Sequence, residues 1–366
     1  MTEKQFIAYD NMKKMKLVLA DGHEFSGIVN GTDSPCAGEI VFNTSVVGYQ
    51  EILSDPSYAG QIVVMTYPLM GQYGITDDDF ESRVPALKGL VVRECCESPS
   101  NFRYTKTLGE ELDEHGIPCL EGVDTRMITR IIRDAGSMPA AIVPEESSTE
   151  EALALMKGVP SGNNPVAGAS CAKRWFSRTP HHKFDVVVVD CGLKHSVVAE
   201  LNKRGCNVTV VPFNASEKDI MSFNPNGILL SSGPGDPASL EGTIGLVRSL
   251  RGKLPVFGIG LGHELIALSC GARCIKLKCG LHGGYPVRET GKAMIISAEY
   301  NCGYVVDPAS LEGTGLEISH TNVLDGSIAG LSCPADRIHS VQFYPEGAPG
   351  PSESPFFDEF IKAMED

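Results

Sequence analysis

In the second half of the chain, apolar residues gather in short unbroken runs at 186–189, 208–211, 227–230 and 254–257. Between the first of these runs lie stretches with apolar residues three and four apart: 194–204, closed by Gly205, and 217–222. Unbroken runs suit strands buried on both faces, and helical spacing between them gives alternating βα units. The pattern predicts a parallel, doubly wound sheet, so the expected fold class is α/β. The first half reads differently. Residues 16–19 and 24–29 flank Asp21-Gly22 and predict an opening hairpin. Residues 61–66 and 89–92 are further strand candidates. Over 125–134, Met127, Ile128, Ile131 and Ile132 recur at helical spacing, with Arg126, Arg130 and Arg133 on another face.

Residues 1–145 therefore read as a mixed α/β domain rich in strands, and 185–366 as the doubly wound domain. Residues 146–184 read as a connector. They hold a short helical piece near 150–157 and then Pro160-Ser161-Gly162-Asn163-Asn164-Pro165. Trp175, the single tryptophan, is expected to pack the connector onto a domain.

Candidate chemistry sits where strand runs end. The run at 254–257 leads into Gly258-Ile259-Gly260-Leu261-Gly262-His263, and a helical pattern follows at once. Strand, sharp glycine turn and helix form the geometry of a nucleophile elbow. A side chain at its tip would stand over the positive end of a helix, where a thiolate is stabilised. The tip here is Gly260, which has no side chain. Gly233 and Tyr344 also follow strand-like runs, and open α/β sheets bind ligands at the carboxyl ends of their strands. These three residues are expected to converge on one cleft.

The elbow resembles that of the class I glutamine amidotransferases, which reads G-x-C-x-G-H-Q. Ser232-Gly233-Pro234-Gly235-Asp236-Pro237 resembles their oxyanion-strand motif, and Val341-Gln342-Phe343-Tyr344-Pro345-Glu346 their V-Q-F-H-P-E. Further motifs narrow the resemblance to the small subunit of carbamoyl phosphate synthetase. They are Val41-Phe42-Asn43-Thr44-Ser45, Gly48-Tyr49-Gln50-Glu51-Ile52-Leu53, Asp55-Pro56-Ser57-Tyr58, Ser100-Asn101-Phe102-Arg103 and Val123-Asp124-Thr125-Arg126. The similarity runs in order along nearly the whole chain. It implies a small-subunit N-terminal domain at 1–145 and an amidotransferase domain at 185–366.

Carried over position by position, the resemblance sets Gly260 at the nucleophilic cysteine, Tyr344 at the histidine base and Glu346 at the orienting glutamate. It places Ser45, Gly233, Gly235, Leu261, Glu264, Asn301, Gly303 and Tyr304 at substrate-binding positions. Only the orienting carboxylate of the triad survives. Tyrosine, with a pKa near ~10, is a poor base at neutral pH. Glu264 stands where the family has glutamine and would bring a charge into a carboxylate-binding pocket. The family's H-H-G-G-N-H-P-V is shortened to Leu281-His282-Gly283-Gly284-Tyr285-Pro286-Val287, with a loop expected over 282–287, and its Q-N-H-G-F reads Tyr300-Asn301-Cys302-Gly303-Tyr304, with Cys302 in the histidine's place and expected on a loop. Neither Cys270 nor Cys302 has an adjacent feature to activate it as a relocated nucleophile.

What the resemblance implies is a carbamoyl phosphate synthetase small subunit that has lost its glutaminase. It would act as structural or regulatory partner of a large subunit that uses ammonia and feeds pyrimidine and arginine synthesis. The competing reading is a stand-alone pseudoenzyme that binds glutamine or a related amino acid in the vestigial pocket. No cofactor is expected.

Composition narrows the rest. A formal charge of −15 argues against nucleic-acid partners. No apolar stretch reaches the length of a membrane span, and Met1-Thr2-Glu3-Lys4-Gln5 lacks a signal-peptide core. The twelve scattered cysteines suit reduced thiols in the cytoplasm, and Cys270, Cys274 and Cys279 lack histidines at zinc spacing, so no metal is expected. Gly258-Ile259-Gly260-Leu261-Gly262 is not a dinucleotide fingerprint, because His263 stands where the third glycine is needed. The loop at 233–237 lacks the Lys-Ser/Thr of a P-loop.

Overall fold

The fold comes from a computed structural model that describes residues 13–159, 165–347 and 355–365. The expectations for Met1-Thr2-Glu3-Lys4-Gln5 and for Pro160-Ser161-Gly162-Asn163-Asn164 lie outside the described residues. Those described fall into two compact units, one of 13–54 and 58–159, the other of 55–57, 165–347 and 355–365.

The first unit is a closed barrel. Its strands are β1 (Lys14–Leu19), β2 (Glu24–Gly31), β3 (Cys36–Asn43), β4 (Gln61–Met65), β6 (Gly89–Val91), β8 (Pro118–Glu121) and β9 (Met138–Pro144), in the order β1-β2-β8-β6-β4-β3-β9. β5 (Leu69–Met70) and β7 (Glu94–Cys95) form a separate pair. The expected hairpin is β1–β2, turned at Gly22 with φ 93°. Closure comes from β9, which pairs with both β1 and β3 and leaves the barrel no open edge. The helix Thr125–Ala135 starts on Asp124, whose side chain accepts the Met127 N–H at 2.9 Å. It buries Ile128 and Ile132 and leaves its arginines in solvent.

The second unit holds β10 (Trp175–Ser177), β11 (Phe184–Asp190), β12 (Cys206–Pro212), β13 (Gly227–Leu230), β14 (Val256–Ile259), β15 (Cys274–Glu289), β16 (Ile295–Val306), β17 (Glu317–Asn322), β18 (Ile328–Cys333) and β19 (Ile338–Val341). They form one sheet in the order β10-β12-β11-β13-β14-β19-β18-β17-β15-β16. Val186 and Val188 pack into the core on one face, Val187 and Val189 into the core on the other. Both faces being covered is why this run lacks polar alternation.

The sheet has the expected parallel, doubly wound core and carries antiparallel strands at both ends. β12, β11, β13, β14 and β19 are parallel, while β10 and β18, β17, β15, β16 run antiparallel to their neighbours. The chain after the elbow helix makes hairpins instead of helical crossovers, and a hairpin can only add antiparallel strands. Residues 282–287, expected as a shortened loop, lie within β15, and Cys302, expected on a loop, lies in β16 opposite Leu281.

Residues 146–184, expected as a connector, are largely structured. The helix Thr149–Lys157 opens on a capping box of Ser148 and Glu151 and packs Ala152 and Met156 with Val18, Ala141 and Val143 of the first unit. Trp175 joins β10 opposite Val210 and packs against a core of the second unit.

Candidate functional site

β13, β14 and β19 are parallel neighbours, so the chain leaves their carboxyl ends side by side. Gly233, Gly260 and Tyr344 each follow one of these ends. At the tip of the β14 turn, Gly260 has φ 55° and ψ −113°, a conformation that strains any residue with a Cβ. Its N–H donates to the Val341 carbonyl at 2.9 Å, and its own carbonyl accepts from His263 N–H at 3.0 Å to begin the helix Leu261–Ser269. A Cβ added at Gly260 would lie 3.3 Å from Ser232 Cβ and 3.9 Å from the Gln342 carbonyl. Three strand ends therefore meet at this point, and a small side chain fits there with a slight shift.

The flanking glycines serve packing. A Cβ at Gly262 would lie 2.4 Å from the Leu230 carbonyl, and one at Gly258 would lie 2.7 Å from the Gly262 backbone. Helix and strand approach too closely for any side chain at either place. Gly233 is equally fixed, since a Cβ there would lie 2.1 Å from the Cys191 carbonyl. Gly235 holds φ 95° beside Pro165.

Leu261 and Glu264, on the first turn of the helix, are both buried. Gln342 Nε2 donates to Glu264 Oε1 at 2.9 Å. Burial pushes the Glu264 carboxyl up to about 8, and Gln342 and Asp236 modify it less. The expected charge in the pocket is thereby corrected: at pH 7 the neutral acid dominates, because among the described residues no cation offsets the loss of water around it. His263 contacts Ser340 Oγ through Nδ1 at 2.9 Å, and burial lowers it to about 3, so it is neutral.

Tyr344 is buried, with its hydroxyl donating to Asp55 Oδ2 at 2.7 Å and 3.1 Å from Ser57 Oγ. Asn301 Nδ2 donates to the same Asp55 oxygen at 2.8 Å, and Asn301 Oδ1 lies 2.9 Å from His282 Nδ1. Lys194 sits with its ammonium 4.2 Å from the centre of the Tyr344 ring. That ammonium also pairs with Glu346 Oε1 at 2.9 Å, both side chains being buried. The surviving family carboxylate is thus held by a lysine.

Gly303 and Tyr304 follow on β16, where Tyr304 lies opposite Lys276, and open space surrounds the place a Gly303 Cβ would take. Ser45 belongs to the first unit, where its N–H donates to Asn43 Oδ1 at 2.7 Å. Burial raises the thiols of Cys191, Cys270, Cys274 and Cys302 above their ordinary range, so each is a thiol at neutral pH.

Sequence reasoning assigned Lys194 no site role, and it named Asp55 and Gln342 only as members of family motifs. A usable signal existed for Lys194: it is charged, yet it sits in the short turn between the buried strand Phe184–Asp190 and a helix with strong apolar spacing.

Residues 17–142 match the family model described as carbamoyl-phosphate synthase small chain, CPSase domain, and residues 187–363 match glutamine amidotransferase class-I. A carbamoyl phosphate synthase small chain from Staphylococcus saprophyticus is 46% identical over 352 residues, covering 96% of each chain. One from Listeria monocytogenes is 44% identical over 96% of this chain and 97% of its own. The carbamoyl phosphate synthase pyrimidine-specific small chain of Halalkalibacterium halodurans is also 44% identical, with the same coverage.

Proposed function

The chain belongs to the carbamoyl-phosphate synthase small-chain family, and within it we propose a small subunit whose own glutaminase is silent. On this reading it serves as structural or regulatory partner of a large chain that draws on free ammonia.

One observation carries the proposal. The turn between β14 and its helix keeps elbow geometry, yet its tip is Gly260. Amide hydrolysis by covalent catalysis needs a nucleophile there and a base beside it. No atom at position 260 can attack. Three further points support the reading. The Tyr344 hydroxyl donates to a carboxylate, the reverse of what a base must do. The Glu346 carboxylate is engaged by Lys194. The thiols of half-buried Cys270 and buried Cys302 lack the depressed pKa of a reactive cysteine. Loss of nucleophile and base together leaves little catalysis, because they act as a unit.

The test is the purified complex with its cognate large chain, supplied with bicarbonate, ATP and either glutamine or ammonium. Carbamoyl phosphate is expected with ammonium and not, above a blank, with glutamine. Glutamine-dependent synthesis would overturn the silent-site reading. Failure to form a complex, together with glutamine binding by the isolated chain, would favour the stand-alone pseudoenzyme.

A further inference from the structure

Glu264, on the elbow helix, and Gln342, just beyond β19, place two buried acceptors side by side with no donor for either. Gln342 Nε2 donates to Glu264 Oε1 at 2.9 Å. Among the described residues no group donates to Gln342 Oε1 or to Glu264 Oε2. The titratable groups that interact with the carboxyl are all acids: Asp236 in the loop after β13, and the thiols of Cys274 on β15 and Cys302 on β16. No lysine, arginine or histidine among the described residues supplies a counter-charge. A buried carboxyl in such a place has two stable states. It keeps its proton, or it holds a cation in direct contact.

The chain by itself takes the first state. The second needs a cation from outside, and three features define it. Glu264 and Gln342 are 3% and 1% exposed, so the ligand is small. The acceptors belong to two side chains already joined by a hydrogen bond, so a ligand that serves both offers several donors from one atom. The carboxylate of Asp236 adds negative potential, so the ligand is positive. We propose that Glu264 and Gln342 Oε1 bind an ammonium ion, which takes the place of the acid proton. Glu264 gives up that proton to water, and its carboxylate pairs with the ammonium through charge-assisted hydrogen bonds. An alkali cation carries no N–H donor and suits the place less. The proposal deepens the small-subunit reading, in which ammonia is the nitrogen source, and rests on it for the use of the site.

The experiment uses the full chain alone, at pH 7 and fixed ionic strength, with ammonium chloride exchanged for sodium chloride. Ammonium should raise the melting temperature relative to sodium, because a ligand held only by the folded state stabilises it. In weakly buffered solution it should release close to one proton per chain, since the folded carboxyl titrates at about 8. Glu264→Gln keeps the shape of the side chain and offers no anion. It should weaken ammonium binding about 10-fold or more and release no proton, and its melting in sodium checks that it folds. Wild type that responds alike to ammonium and sodium overturns the proposal. So does an ammonium response that survives in Glu264→Gln. Potassium acting as well as ammonium would make this a general monovalent-cation site, which also overturns it. Glutamine stabilising wild type where ammonium does not would assign the carboxyl to an amino acid's ammonium group, against the proposal. Because the large chain is absent from this experiment, a negative result leaves the subunit reading standing. A failure to form the complex would leave the measured binding intact and remove only its use.

Discussion

The hydroxyl of Tyr344 donates a 2.7 Å hydrogen bond to the carboxylate of Asp55, 289 residues away in sequence. The same carboxylate accepts from Asn301 Nδ2 at 2.8 Å and from the Ser57 N–H at 2.9 Å. A phenol whose hydroxyl is committed as donor to a carboxylate is not oriented to accept a proton, so Tyr344 acts here as a structural donor.

Tyr344→Phe should therefore cost about 1–3 kcal/mol, since a buried carboxylate loses one donor. The measurement is denaturant unfolding followed by a probe in the second unit. Ammonia release from glutamine should stay at the buffer blank before and after the change. Unaltered stability would show that the bond contributes nothing.

Lys194 and Glu346 form a buried ion pair. Removing one partner strands the other charge in a dry site, so Lys194→Met should destabilise by about 3–5 kcal/mol. Lys194→Met with Glu346→Leu should recover much of that loss, because an apolar pair of similar volume leaves no orphan charge. A double-mutant cycle by denaturation reads the coupling. Additive single and double effects would contradict it.

Glu264 gives the protein a pH dependence of definite sign. Its carboxyl titrates near 8 when folded, above the ordinary carboxylate value. The folded state thus holds a proton that the unfolded state releases earlier. The group's contribution is intact at acid pH and is lost as pH rises from the unfolded value towards 8, on the order of 3 kcal/mol by neutral pH. Glu264→Gln keeps the neutral shape and removes the titration. Between pH 5 and 8, wild type should lose stability relative to this variant. Parallel stability curves for the two would mean that Glu264 ionises freely.

The elbow itself can be rebuilt. Gly260→Ala should cost about 1–3 kcal/mol, because φ 55° and ψ −113° strain a Cβ while the space around it is adequate. Gly260→Cys with Tyr344→His and Glu264→Gln should show weak glutaminase activity, and Gly260→Cys alone should show none. A thiol-reactive glutamine analogue should label the triple variant. Labelling without turnover would place the fault in the pocket, and no labelling would show that position 260 is inaccessible.

Much of this molecule was legible in its sequence. The strands β11, β13 and β14, the helices at 125–135 and 195–203, and the glycine turn with an empty tip all follow from local pattern. Periodicity reports which faces are buried, and glycine reports where φ must be positive or backbones must touch. Neither signal depends on distant residues. The segment at 282–287 reads as a loop in sequence for the converse reason. Gly283, Gly284 and Pro286 signal a loop locally, but residues 296–301 of β16 pair alongside and hold the segment extended.

What only tertiary structure decided is the set of partners. Closure of the barrel needs β9 to reach both β1 and β3. Lys194 finds Glu346 across 152 residues, Gln342 finds Glu264 across 78, and Tyr344 finds Asp55 across 289. The sequence alone determined that position 260 carries no attacking atom. It could not determine the charge on Glu264, because ionisation depends on the water excluded by surrounding segments. Burial by those segments raises the cost of the anion and leaves a neutral acid where the residue name promises a charge.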